Sequence, residues 1–251
     1  MKLVRLSLAG IFLSSSMLCG GQTFAEENKS RDVDAQVVFE VDTSTNPTDP
    51  VNPLDPEKPV KPIDPIDPEK PINPGTSGPL SIDYASPLNF GKQTISSVDK
   101  TYYAKTQKVM NKDGSEEDVT LYAQVTDNRG TLKGWSLSVK QNGQFKSGNN
   151  ELKGAKIEFM NGQIASASES KVPSLVKEKF DLTADGTGAA TTVVSAKKDE
   201  GAGTFIYRLG NEKTKGESVQ LVVPGKSTKL KDVQYKTSLT WTLNDVPGDS
   251  L

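Results

Sequence analysis

The sequence predicts an all-β protein, an antiparallel β-sandwich or closed barrel of about ten strands. Short runs of alternating apolar residues recur from Leu80 onward, and no stretch sustains the 3.6-residue period of a helix. Turn signals such as Asn161-Gly162 and Pro224-Gly225 separate these runs. Many short strands between regularly spaced turns are typical of antiparallel sandwiches and barrels.

The individual strands are predicted from apolar residues that alternate and therefore share one face of a sheet. The region from Pro173 to Phe180 breaks this pattern, and we expect a short helical turn or loop there. The predicted inward-facing sets are Leu80, Ile82 and Tyr84; Val119, Leu121, Ala123 and Val125; Trp135, Leu137 and Val139; Ala155, Ile157 and Phe159; Phe180 and Leu182; Phe205, Tyr207 and Leu209; Val219, Leu221 and Val223; and Leu239, Trp241 and Leu243.

Residues 1–25 have the pattern of a secretory signal peptide. Lys2 and Arg5 precede an apolar run that ends at Leu18, and Ala25 closes a small-x-small cleavage site. The run is short for a transmembrane span, so we expect cleavage after Ala25 and no transmembrane segment in the mature chain. Lipid attachment at Cys19 is the weaker alternative, because the residue before it is not small.

Residues 43–79 are predicted to be a proline-rich spacer. Ten prolines, from Pro47 to Pro74, occur at intervals of three. Proline fixes φ and lacks an N–H donor, which disfavours both helices and central strands, whereas a three-residue period matches polyproline II. We therefore expect an extended, semi-rigid or disordered segment. A docking site for a proline-recognising partner is the alternative.

The segment 26–42, before this spacer, contains one candidate strand at 35–41, where apolar residues alternate around Phe39. A single strand has no independent stability. We expect it to pair with an edge of the main domain, residues 80–251. Donation of the strand to another chain is the alternative.

Composition excludes several function classes. The chain has no histidine, and its only cysteine lies in the predicted signal peptide, so Ser-His-Asp sites, Cys-His sites and the usual zinc sites are excluded. Loss of Lys2 and Arg5 leaves 28 basic and 32 acidic residues, without a basic patch, which argues against nucleic-acid binding.

Carboxylates are the only residues that could support hydrolysis of a glycan, but no spacing singles out a catalytic pair. We expect no enzymatic activity, no cofactor and no metal site. The acidic loop at 113–118 lacks the alternate-residue spacing of calcium ligands and is interpreted as solvated. The carboxylates considered are Asp83, Asp118, Asp127, Glu158 and Asp245.

The two tryptophans lie in the same short motif, Trp-x-Leu, which occurs as Trp135-Ser136-Leu137 and as Trp241-Thr242-Leu243. In a strand, each Trp shares a face with its Leu, and the hydroxyl residue between them points the other way. Two explanations remain open from the residues alone. The tryptophans can be core side chains, each removing roughly 150–250 Å² from water, or an exposed pair that binds sugar rings or a protein.

These paired motifs resemble those of the WxL-domain surface proteins of low-GC Gram-positive bacteria. The surrounding sequence resembles that family as well, in Leu80 to Tyr84, Val125 to Gly130, Gly134 to Val139, Leu152 to Ala155 and Tyr235 to Leu243. The resemblance places Trp135, Leu137, Trp241 and Leu243 at the motif positions for binding a cell wall or a partner.

The resemblance implies a secreted protein at the cell surface that attaches non-covalently to peptidoglycan or another wall glycan. It also implies, as an alternative, a structural subunit or adhesin of a multiprotein surface complex. Companion surface proteins and host matrix proteins are the partners expected in that case.

Overall fold

The computed structural model describes residues 30–41, 46–182 and 188–248, and these residues form strands, turns and loops with no helix. Every strand pair among them is antiparallel, which confirms the predicted all-β antiparallel class. Within the described ranges, no helix is long and apolar enough to cross a membrane. The predicted signal peptide, residues 1–25, lies outside the described residues.

The chain divides into two compact units, of which the first ends at Phe39. Its described residues form no strand, and their side chains are exposed, Val37 by 73% and Phe39 by 89%. No strand is assigned at residues 40–41 either, so the described part of this single chain shows no strand at 35–41, and the pairing of this segment stays a prediction. A strand without a neighbour makes no ladder hydrogen bonds to offset the entropy lost on ordering.

The second unit begins at Glu40, and its described residues contain nineteen strands, more than the ten predicted. The first ten are β1 Val51–Asn52, β2 Asp55–Pro59, β3 Lys61–Ile63, β4 Leu80–Ala85, β5 Lys100–Tyr103, β6 Gln107–Met110, β7 Glu116–Val119, β8 Leu121–Asp127, β9 Trp135–Gln141 and β10 Lys146–Ser147. The others are β11 Asn150–Glu151, β12 Lys156–Phe159, β13 Gly162–Ala165, β14 Leu175–Val176, β15 Phe180–Asp181, β16 Thr191–Ala196, β17 Gly203–Leu209, β18 Val219–Val223 and β19 Leu239–Asn244.

Three four-stranded sheets carry most of these strands. Sheet I has the order β13-β17-β8-β4, sheet II the order β14-β16-β9-β19, and sheet III the order β15-β12-β18-β5. A three-stranded sheet, β3-β6-β7, and the hairpins β1-β2 and β10-β11 complete the described topology. The short β14 and β15 replace the helical turn or loop expected between Pro173 and Phe180.

Side chains from all three sheets meet in one hydrophobic core. Phe205 of sheet I, Trp135 of sheet II and Ile157 of sheet III are each 1% exposed. Full burial of one large apolar side chain contributes roughly 1.5–3 kcal/mol. This core therefore stabilises the unit without a disulfide among its described residues.

A β-bulge in β4 changes the face on which Tyr84 lies. Ile82 is opposite Val125 and Tyr84 is opposite Gln124, so Asp83 is the extra residue. Leu80 and Ile82 pack against the main core as predicted, whereas Tyr84 packs in a separate cluster with Tyr122 and Ile206. The prediction that Tyr84 shares a face with Ile82 is wrong because the bulge reverses the alternation.

The proline-rich segment is ordered over residues 51–63, where it forms β1, β2 and β3. Side chains of sheet I hold it in place. Gln124 accepts from the Val51 N–H at 2.9 Å and donates to the Asp49 carbonyl, and Arg208 donates to the Pro53 carbonyl at 3.0 Å. Residues 51–63 are therefore ordered in the structure, because side chains of sheet I bind backbone groups of a segment whose prolines lack N–H donors. The assignment of 43–79 as a spacer stays a prediction. Residues 43–45 lie outside the described part of the chain.

Candidate functional site

The two Trp-x-Leu motifs lie on neighbouring strands of sheet II. Strand β19 pairs antiparallel with β9, and Leu243 is directly opposite Leu137. Trp241 is opposite Val139. Residues opposite each other share a face, so all four motif side chains point to the core side of the sheet.

Trp135 and Leu137 are core residues, each 1% exposed. The Trp135 indole Nε1 donates to the Gly201 carbonyl at 2.8 Å, and its ring lies 6.4 Å from that of Phe205. Gly201 has φ +74°, and a Cβ there would lie 2.7 Å from the indole nitrogen. Both Trp135 and Leu137 are therefore enclosed by the core in this structure.

Trp241 and Leu243 have a different environment, because β19 is the edge strand of sheet II. Both side chains pack on the core but remain half-buried. The structure therefore separates the two motifs. The first is internal, and the second lies at an edge where its tryptophan is accessible.

Trp241 lines a cleft of about 540 Å³ between β4 and β19. Ile82, Leu88 and Leu239 contribute further apolar surface. We call this feature the Trp241 cleft. A concave, mostly apolar surface with a few polar groups is the usual form of a small-molecule site.

Two phenylalanines add aromatic surface to the Trp241 cleft. The rings of Phe90 and Phe145 meet edge to face, with centroids 6.1 Å apart. Polar groups share the lining, in particular Asp64, Asn73 and Thr237. Sequence patterns did not identify Phe90 or Asn73, because both lie in loops where no periodicity marks a face.

Comparison with known protein families finds one match. Residues 26–247 match the model of the WxL domain surface cell wall-binding family, which covers nearly the whole chain. The chain belongs to this WxL family. Comparisons with curated proteins and with solved structures find no match. Family membership confirms the resemblance predicted from the paired motifs, and assigns a surface protein that binds the cell wall.

Two of the carboxylates considered for hydrolysis, Asp127 and Glu158, form ion pairs and do not line the Trp241 cleft, whereas Asp83 is among the residues that line it. Arg129 donates to both carboxylate oxygens of Asp127, at 2.9 and 2.8 Å, which raises the pKa of the Arg129 guanidinium. The Lys156 ammonium lies 2.6 Å from Glu158 and lowers the pKa of that carboxyl. These are structural ion pairs on different strands.

Asp83, the bulge residue, is buried in a ring of donors. The hydroxyls of Ser81 and Thr126 donate at 2.7 and 2.6 Å, and the Gln124 amide donates at 3.0 Å. Burial raises the pKa of Asp83, and these hydrogen bonds offset only part of that effect. The Thr48 N–H also donates to this carboxylate, so Asp83 anchors the start of the proline-rich segment to sheet I.

The remaining two carboxylates lie at the surface. Asp118 of β7 accepts from the Thr106 hydroxyl at 3.0 Å, and Asp245 is exposed just after β19. In the loop at 113–118, Asp113 accepts from the backbone N–H and hydroxyl of Ser115. Across the described ranges, no group of acidic, His or Cys side chains could hold a metal ion.

Proposed function

We propose that this chain is a secreted, non-enzymatic surface protein that is held non-covalently on the Gram-positive cell wall by binding peptidoglycan glycan in the Trp241 cleft. One observation carries the choice of site. Of the two motif tryptophans, Trp135 is enclosed by the core and Trp241 lines an open cleft.

The composition of the Trp241 cleft suits a sugar chain. A pyranose ring has apolar C–H faces that pack flat on aromatic rings, and Trp241 with Phe90 supplies such rings. Its hydroxyl groups need hydrogen-bond partners around the rim. Asp64, Asn73 and Thr237 are placed to provide them.

Export is supported by the predicted signal peptide and by the family match, which starts at residue 26, directly after the expected cleavage at Ala25. The non-enzymatic assignment is supported by Asp127 and Glu158, whose carboxylates are occupied by ion pairs with Arg129 and Lys156. Neither lines the Trp241 cleft.

Sedimentation with purified peptidoglycan sacculi tests this proposal. The purified chain from Glu26 onward is expected to sediment with sacculi, and Trp241→Ala is expected to lose most of this binding. Thr242→Ala is the matched control, because Thr242 is exposed on the opposite face of the same strand. Circular dichroism on all three proteins separates loss of binding from loss of fold. Equal binding by Trp241→Ala and wild type would overturn the assignment of the cleft.

A second candidate function is that of a structural subunit or adhesin held on the wall by companion surface proteins, with host matrix proteins as further partners. The outer edge of β19 favours it, because this edge pairs with no strand among the described residues, and such an edge can accept a strand from another protein. The same sedimentation experiment distinguishes the two functions. A folded wild-type chain that binds sacculi only when a companion protein is added would support the second.

A further inference from the structure

The outer edge of β19 carries unpaired backbone groups. The Asn142 N–H donates to the Ser238 carbonyl at 2.9 Å, so Ser238 and then Thr240 and Thr242 turn their backbone groups toward β9. The groups of the alternate residues, Leu239 to Leu243, face away from β9. Within the described ranges sheet II ends at β19, and these groups meet no further strand.

This edge borders the Trp241 cleft, so one surface combines unpaired backbone groups with an apolar slot. Trp241 and Leu239 form part of the apolar lining on the β19 side, and Ile82 and Leu88 on the β4 side. A strand that pairs with β19 would point every second side chain into the cleft. The best occupant is therefore an extended segment with apolar side chains in alternation.

Residues 35–41 have this pattern and pair with no strand in the part of the chain that the structure describes. Val37, Phe39 and Val41 alternate, and are exposed by 73%, 89% and 47%. The seven-residue segment is one residue longer than β19, which has six. Residues 35–39 belong to the unit that ends at Phe39, whereas residues 40–41 and β19 belong to the second unit. A large exposed apolar set of this kind marks an interaction segment.

We propose that residues 35–41 of a second copy of this chain add to the free edge of β19 and place Val37, Phe39 and Val41 in the Trp241 cleft. Backbone pairing along the edge supplies affinity, and the alternating side chains supply specificity. The contact is heterologous, because one copy gives its segment and the other gives its edge. Repetition of such a contact produces open chains or closed rings.

This inference goes beyond the proposed function but uses the same cleft. A strand in the cleft excludes glycan from it, so the two ligands compete. Self-association is measured without any wall material, so its failure leaves the proposal of wall binding intact.

Analytical ultracentrifugation over a concentration series tests the inference. The chain from Glu26 onward is expected to self-associate, and Phe39→Asp is expected to weaken this by about tenfold or more, because a charge replaces the central apolar side chain. Val38→Asp is the matched control, since Val38 is also exposed, by 84%, but in a docked strand its side chain would point to the face opposite that of Val37 and Phe39. A wild-type chain that stays monomeric, or association that Phe39→Asp leaves unchanged, would overturn the inference.

Cysteine cross-linking identifies the two surfaces, because the chain from Glu26 onward has no cysteine of its own. One copy carries Glu40→Cys and a differently tagged copy carries Thr242→Cys, both facing away from the cleft when the strand is docked. A mixed disulfide-linked dimer is expected, and Lys213→Cys in place of Thr242→Cys is expected to give none. Equal cross-linking at Lys213, or no mixed dimer at all, contradicts the proposed docking.

Discussion

Leu137 and Leu243 are directly opposite each other across β9 and β19, so the two Trp-x-Leu motifs meet through their leucines. Their tryptophans, in contrast, lie at different positions along the strands. Trp241 is opposite Val139, four residues from Trp135. The side chains of the two Trp-x-Leu motifs therefore form one continuous apolar stripe that begins in the core and ends at the edge of sheet II.

The leucine pair should be energetically coupled. We expect Leu137→Ala to lower the free energy of unfolding by about 2–5 kcal/mol, and Leu243→Ala by less, because Leu243 is only half-buried. The double variant should lose less free energy of unfolding than the two single variants lose together, and the difference should be about 0.5–1 kcal/mol. Urea denaturation of the four proteins measures this. Strict additivity would show that the two motifs do not support each other.

The two tryptophans should differ in their effect on stability. Trp135→Ala removes a fully buried ring and an indole hydrogen bond, and should cost about 3–5 kcal/mol. Trp241→Ala removes a half-buried ring and should cost about 1–2 kcal/mol. Thermal and urea melts compare them. An equal loss for both would mean that Trp241 is a core residue rather than part of an open cleft.

Glu200 should make stability depend on pH in the acid range. Burial alone would raise the pKa of this carboxyl, but the Lys171 ammonium and the backbone N–H groups of Lys197 and Ser174 lower it to about 2. Since the folded-state pKa is below the unfolded value, Glu200 stabilises the fold above roughly pH 4.5 and loses this contribution as pH falls toward 2.

The contribution is about 1–2 kcal/mol, because the Lys171 side chain is largely exposed and solvent screens the pair. Glu200→Gln should be less stable than wild type at pH 7, and the difference should shrink steadily between pH 4.5 and pH 2. Urea midpoints at each pH give the comparison. Glu169→Gln is the control, as Glu169 is an exposed carboxyl in the loop just before Lys171. A constant difference over this range would assign the effect to packing instead of charge.

Gln124 should control the attachment of the proline-rich segment. Gln124→Met keeps the side-chain volume but removes the acceptor for the Val51 N–H and the donors for Asp49 and Asp83. We expect a loss of about 1–3 kcal/mol and faster exchange of the Val51 amide. Hydrogen exchange and limited proteolysis of residues 46–63 measure the effect. Unchanged exchange at Val51 would show that other contacts hold the segment.

The sequence predicts the all-β class and the long strands well, because strands such as β9, β17 and β18 alternate clearly and lie at the core. It does not predict β1 to β3, since their stability comes from distant side chains such as Arg208 and Gln124 rather than from local pattern. The bulge at Asp83 is equally hidden, because the apolar residues Leu80, Ile82 and Tyr84 still alternate in the sequence although the bulge turns Tyr84 to the other face.

The functional site is predicted only in part. The paired motifs predict the family correctly, whereas their role in binding stays a prediction. The pattern also cannot distinguish Trp135 from Trp241, because the two motifs have the same form. What separates them is sheet order, which places β9 inside sheet II and β19 at its edge. Sheet order depends on pairing between strands about a hundred residues apart, and such pairing leaves no periodic signal in the sequence.

The contrast between an enclosed and an accessible tryptophan gives the chain two optical probes with separate uses. Trp135 should emit at short wavelength and resist quenching by iodide, whereas Trp241 should emit at longer wavelength and be quenched. Replacing Trp241 with phenylalanine leaves a reporter of unfolding alone. Replacing Trp135 leaves Trp241 as a fluorescent reporter of ligands that enter the cleft. The binding of glycan fragments, or of a second copy of the chain, can then be followed without an added label.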